Sequence, residues 1–160
     1  LVVPAELAAG PATVTVMRSE ITRATGNLQI DPIAPGIFTA DGSGRGVAAA
    51  LAISVDGSHQ TTSPVFSCQA ACTAVPVHVT GNTHLVLFAT GIRNNTDITK
   101  VGVSIGTAHA KVEYAGPQNQ YPGLDQINVL IPPNTGIHGE VDVLVSVSGK
   151  AANPVRIALE

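Results

Sequence analysis

Large aromatic rings and charge are what this chain has least of. It contains no Trp, three Phe and two Tyr, so its interior has to be filled by Val, Ala, Ile and Leu, small and β-branched side chains that suit strands. Charged residues make up only 12% and the net charge is −3, with no run of Lys or Arg. That removes the electrostatic footprint of a nucleic-acid binder and argues against a polyanionic partner. No apolar run approaches the roughly 18 to 20 residues that a membrane helix needs, which argues against membrane insertion. The chain opens without the charged and apolar regions of a signal peptide, so it reads as a mature or excised piece. Cysteine is limited to Cys68 and Cys72, in VFSCQAACTA, and no further Cys or nearby His completes a four-ligand zinc set. A short-loop disulfide made in an oxidising compartment is the better reading, and so small a loop pins a turn more than it stabilises a domain.

What the chain has in quantity is turn chemistry. Sixteen Gly and eleven Pro, with many Thr, Ser and Asn, punctuate it into short strands and leave no helical period over ten residues. ATVTVM alternates, placing Val14 and Val16 on one face and Thr13 and Thr15 on the other; GNLQI follows as a second strand. An apolar run from Val47 to Val55 comes after the Gly-rich DGSGRG, and LVLFAT is dense enough for a central strand buried on both faces. VPVHVT, KVGVSIG, AKVEYA, QINVLI, EVDVLVSV and PVRIAL complete the set. The polar stretch from Gln60 to Val75 is predicted as a loop or covering flap that carries the Cys pair. Strands at this spacing, with turn residues between them, predict an all-β fold, an antiparallel immunoglobulin-like β-sandwich.

The two ends repeat each other. VVPAELAAGPATVTV near the start resembles LIPPNTGIHGEVDVLVSV near the finish, with Pro4 matching Pro132, Gly10 matching Gly139, Val14 matching Val143 and Val16 matching Val145. Only the second copy is preceded by its own strands. The chain therefore divides into an incomplete N-terminal strand segment, 1–33, and a β-sandwich domain, 34–160. An unaccompanied strand pair exposes apolar area and unpaired backbone groups, which is unfavourable in water. Either it folds onto the second copy, or it completes a domain supplied upstream or by a neighbouring subunit. Val2, Val3, Val14, Val16, Leu28 and Ile30 are the residues through which it would join.

APGIFTADGSGRGVAAAL, the Cys pair ahead of VPVHV, LVLFATGIRN and YAGPQNQYPGLDQINVLIP occur in that order. Together they make residues 34–160 resemble the Solibacter-type, acidobacterial C-terminal domain family found at the ends of large secreted proteins. Residues 1–33 resemble the tail of the IPT/TIG-type immunoglobulin-like module that often precedes it. The resemblance implies a β-sandwich and an exported or cell-surface location, and it brings no catalytic residues. It departs at GTAHAK, between Lys100 and Lys111, where the family has a Gly-Val-Pro-Ala type of turn.

Candidate chemistry is sparse. His59, His78, His84, His109 and His138 are scattered, without a helical pair or metal-ligand spacing, and no Gly-x-Ser-x-Gly elbow presents a nucleophile. No catalytic residue, metal or cofactor is assigned. DGSGRG lacks both the Gly-Lys-Ser/Thr ending of a phosphate loop and the oxygen ligands of a calcium loop, and reads as a turn. Asp125, between PGL and QINVLI, is read as a structural carboxylate that accepts backbone amides and fixes its loop. Gln118, Asn119, Gln120 and Tyr121 are the candidates for ligand or partner contact. The leading expectation is a non-enzymatic extracellular assembly module that joins copies of itself, or adjacent immunoglobulin-like domains, into an oligomer or surface filament. The alternative is an adhesion module that binds carbohydrate or a surface protein through the 116–123 loop.

Overall fold

The computed structural model describes residues 2–4, 7–133 and 136–160. The chain divides into two compact units, Leu1–Pro32 and Ile33–Glu160. No helix among the described residues is long and apolar enough to cross a membrane.

The first unit is a hairpin of β1 (Gly10–Arg18) and β2 (Ile21–Ile30), which form a two-stranded antiparallel sheet. Ser19 and Glu20 make the two-residue turn, both at positive φ (50° and 62°), the geometry whose twist matches that of the flanking strands. Pairing sets Ala12 opposite Leu28, Val14 opposite Gly26 and Val16 opposite Ala24, with one register slip between Val16 and Met17. Cross-strand partners share a face. One face is therefore apolar, made by Ala12, Val14, Val16, Leu28 and Ile30, while the other carries Thr13, Thr15, Asn27 and Gln29, with Thr13 Oγ1 donating to Asn27 Oδ1 at 3.1 Å. Val2 and Val3, expected to be part of the joining strands, are exposed and lie outside any strand. They fall before Gly10, where hairpin pairing begins, and so have no ladder partner.

The second unit contains β3 (Gly36–Ile37), β4 (Ala50–Asp56), β5 (His59–Pro64), β6 (Phe66–Cys68), β7 (Cys72–Ala74), β8 (Pro76–Val77) and β9 (Thr83–Thr90). A single 3-10 turn at Ile98–Lys100 precedes β10 (Val101–Ile105), β11 (Ala108–Pro117), β12 (Asp125–Leu130), β13 (Gly139–Val147), β14 (Lys150–Ala151) and β15 (Val155–Leu159). Eleven of these strands form one sheet in the order β5-β4-β9-β12-β11-β10-β13-β15-β8, with β3 beside β9 and β14 beside β13. The all-β class expected from the turn-rich sequence is the class observed.

The sheet curls because of β11. Residues 111–117 of that strand pair with β12, residues 108–110 pair with β10, and the register slips between Val112 and Tyr114. A bulge of this kind bends its strand and raises the local twist. The two halves on either side of β11 thereby share one core, to which β9 and β12 contribute Leu85, Leu87, Ile127 and Val129, and β10, β13 and β15 contribute Val103, Ile105, Val143, Val145 and Ile157. GTAHAK forms a tight two-residue turn, since Ile105 pairs directly with Ala108.

Two expectations need correction. The sheet is not wholly antiparallel: β8 runs parallel to β15, and Val47 makes a parallel bridge to Arg156. Ala48 N donates to Arg156 O at 2.9 Å and Arg156 N to Gly46 O at 2.8 Å. These bonds cover the outer edge of β15, which otherwise would be an open template. Residues 60–75 are not simply a loop, for they supply β5 and the β6–β7 hairpin. HQTTSP lacks an apolar alternation because β5 is an edge strand whose six residues are all exposed.

Asn153, in the link between β14 and β15, holds the start of the unit to its end. Its Oδ1 accepts from Ile37 N at 2.8 Å, and its Nδ2 donates to Ile37 O at 3.0 Å and to Gly44 O at 2.9 Å. Three neutral hydrogen bonds of this kind contribute about 1 kcal/mol each, and their loss leaves half-buried backbone groups unpaired. Asn153→Ala should therefore destabilise the chain by about 2–3 kcal/mol in chemical denaturation. A loss below about 0.5 kcal/mol, the size of an ordinary surface change, would contradict the role assigned to the clamp.

Candidate functional site

A concave surface lies where the turn after β9 meets the loop between β11 and β12. Gly91 makes that meeting feasible. Its φ is +74°, and a Cβ there would lie 2.0 Å from Ala34 O, so only glycine lets the chain pass. The turn then aims Ile92 N and the Arg93 side chain at Asp125. The Asp125 side chain is fully buried; its Oδ2 accepts from Ile92 N at 2.9 Å, and its Oδ1 from Arg93 Nε at 3.0 Å and Nη2 at 2.7 Å. Arg93 Nη2 also donates to Leu124 O at 3.2 Å. A buried carboxylate is tolerable when its oxygens are paired in this way. The amide that Asp125 accepts belongs to Ile92, 33 residues earlier in the chain, rather than to its own loop.

The loop itself is internally braced. Gln118 N donates to Leu124 O at 3.0 Å, Leu124 N to Tyr121 O at 3.2 Å, and Gln120 N to Gln118 Oε1 at 2.9 Å. Tyr114 fixes one end through its hydroxyl on Pro117 O at 2.6 Å, and Thr90 Oγ1 reaches Gly123 O at 3.2 Å. Between this loop and Arg93 is an open cleft of about 280 Å³, lined by Arg93, Pro117, Asn119, Gln120, Tyr121 and Leu124 among others. Of the four contact candidates, Asn119, Gln120 and Tyr121 face the cleft, while Gln118 serves as the brace of Gln120. Tyr121 is 60% exposed. Arg93 carries no local signal in the sequence, because its partners are brought to it by β12 pairing with β9.

The remaining candidates stay apart from this cleft. Cys68 and Cys72 are joined by a disulfide, and they form the last pair of the β6–β7 hairpin, so the bridge closes its turn. His78 is exposed, and His84 lies between Glu113 Oε2 and Asn82 Oδ1, each at 2.9 Å. Among the described residues no group of three or more His, Cys, Asp or Glu is placed to hold a metal ion. Lys111 Nζ sits 3.4 Å from Glu113 Oε1 as a solvent-facing ion pair. In DGSGRG, Asp41 Oδ1 accepts from Ser43 N at 3.0 Å and Ser43 Oγ at 2.8 Å, and Gly44 N donates to Thr39 Oγ1 at 3.0 Å. The loop satisfies its own polar groups.

Two measurements follow from these contacts. Asp125→Ala leaves Ile92 N unpaired and strips Arg93 of its counter-ion, so it should cost about 3–5 kcal/mol, whereas Tyr121→Ala should stay within about 0.5 kcal/mol of the parent in the same unfolding experiment. Equal effects would contradict the buried clamp. For acid, the Asp41 carboxyl is held below its ordinary value of 3.8 by the Ser43 amide and then the Ser43 hydroxyl. Asp97 is held below it by the Thr99 hydroxyl and then the Thr99 amide. A depressed folded value means a contribution that is full above the ordinary value and is lost as pH falls through the folded one. Carboxyl titration by NMR should accordingly give midpoints under 3.8 for both, with the Ser43 and Thr99 amide signals moving together with them. Midpoints at or above that value would contradict the geometry.

No family model matches the chain, and neither does a curated protein or a solved structure.

Proposed function

We propose that the chain is a non-enzymatic, extracellular assembly module with an immunoglobulin-like β-sandwich, joined to its neighbours by the N-terminal hairpin. One observation carries this reading: no side chain on the apolar face of β1 and β2 is fully buried, with Val16 54% exposed and Ala12, Val14, Leu28 and Ile30 only half-buried. A two-stranded hairpin is marginal in water until something covers its apolar side.

The pairing of the closing hairpin supports the reading. β13 and β15 pair Gly139 with Leu159, Val141 with Ile157 and Val143 with Val155. β1 and β2 pair Gly10 with Ile30, Ala12 with Leu28 and Val14 with Gly26, each residue 129 positions before its counterpart. The two hairpins are therefore twins in length and register. The second fully buries, through Val143, Val145, Val155 and Ile157, the face that the first buries only in part. The twins differ most at two buried positions: Arg18 stands where Val147 is fully buried, and Gly26 where Val155 is. Exchange of the first hairpin for the second in another copy would put a charge and a void into that core. Copies are instead joined hairpin to hairpin, by packing of their apolar faces and pairing of the outer edges of β1 and β2, as in other strand-addition assemblies.

The disulfide and the resemblance of residues 34–160 to C-terminal domains of secreted acidobacterial proteins support an extracellular setting. Two sheet halves over one core support the sandwich reading. Sedimentation of the full chain should show oligomers at micromolar concentration, and Val14→Asp with Leu28→Asp should return it to monomer without altering the unfolding of the second unit. A strictly monomeric parent chain would sink the assembly proposal.

A further inference from the structure

We infer that the cleft between Arg93 and the loop from Gln118 to Leu124 is a binding site for a neutral saccharide, independent of the hairpin and its role in assembly. The first reason is that its walls are set in advance. Arg93 is held by three hydrogen bonds to Asp125 and Leu124, and the loop opposite is closed by Gln118 N on Leu124 O and braced by the Gln118 side chain. A ligand entering here meets little ordering cost, and this is how a small contact area is made to count.

The second reason is the polar groups left over. Arg93 uses Nε and Nη2 on its own loop partners, which leaves Nη1 without a hydrogen bond among the described residues; the same holds for the Asn119 carboxamide and the Tyr121 hydroxyl. Donors and acceptors thus occur together on a rigid rim, as a polyol with alternating hydroxyls requires. Tyr121 adds a largely exposed ring beside them, an amphipathic surface with an apolar face for the C–H side of a sugar and a hydroxyl for its edge.

The third reason decides the charge of the ligand. Arg93 is the one cation lining the cleft, and its counter-ion is already in place, since the buried Asp125 carboxylate sits 2.7 Å from Nη2. An acidic ligand would face that fixed carboxylate across the guanidinium and gain little net attraction while losing its own hydration. A neutral hydroxyl or ring oxygen accepts from Nη1 at a smaller desolvation cost. The size agrees with one or two sugar rings, because about 280 Å³ lies at the lower end of ligand sites, about 300 Å³. Affinity per site is then weak, in the millimolar range expected for so few contacting atoms.

The test uses the full chain in solution, with amide NMR titration by cellotriose, mannotriose and a β-galactotriose, and with trigalacturonic acid as the acidic probe. The expected result is that at least one neutral trisaccharide shifts the signals of residues 118–124 with a Kd on the order of 1 mM, and that trigalacturonic acid does not. Tyr121→Ala, at a largely exposed side chain with no hydrogen bond among the described residues, should weaken that binding at least about tenfold with the thermal midpoint unchanged, and Asn119→Ala should weaken it several-fold. Binding of the acid alone, no shift with any neutral probe, or full binding retained in Tyr121→Ala would each overturn the inference.

Discussion

The second unit depends on a core with no large ring in it. Its largest fully buried side chains are Leu, Ile and Val, so the two halves of the sheet have to approach closely for opposing side chains to meet and leave no void. That closeness is what the bulge in β11 provides, by turning one continuous sheet back over itself. It also explains why the ends of the unit are secured by polar clamps rather than by apolar plugs. Asn153 stands in for a missing strand partner of β3, and Asp125 gathers the turn after β9, each satisfying backbone groups that close packing would otherwise strand.

The same clamp that stabilises the fold shapes the cleft. Asp125 fixes Arg93 from its buried side and offsets its positive charge, leaving a guanidinium whose free edge is a rigid hydrogen-bond donor more than an electrostatic attractor. The loop from Gln118 to Leu124 depends on the same pairing of β11 with β12 that carries the sheet round its bend. Assembly through β1 and β2 would array such clefts, and arrayed weak sites gain avidity that one site lacks.

The twin hairpins show how little of a strand's fate lies in its own pattern. Val14 and Val16 alternate with Thr just as Val143 and Val145 alternate with Asp and Leu, and both hairpins adopt one register. Yet Val143 and Val145 are buried while Val16 stands exposed. The difference is the company of β10 and the curled sheet, since burial is a property of what lies opposite. Arg18 and Gly26 were readable as departures from the repeat, and they acquire meaning once the register shows which buried valines they replace.

The sequence by itself determined the all-β class, the positions of most strands, the two alternating faces of β1 and the Cys68–Cys72 bridge, because period-two alternation and turn residues act over a few neighbours. It also marked the loop that carries Tyr121. Only the tertiary structure decided which polar residues matter. Asn153 acts on Ile37 from 116 positions away and Arg93 on Asp125 from 32, distances at which no local pattern survives. The edge role of β5 and the parallel cover on β15 were invisible for the same reason: a polar strand and an isolated bridge are specified by the neighbour that pairs with them, and that neighbour is chosen by the fold.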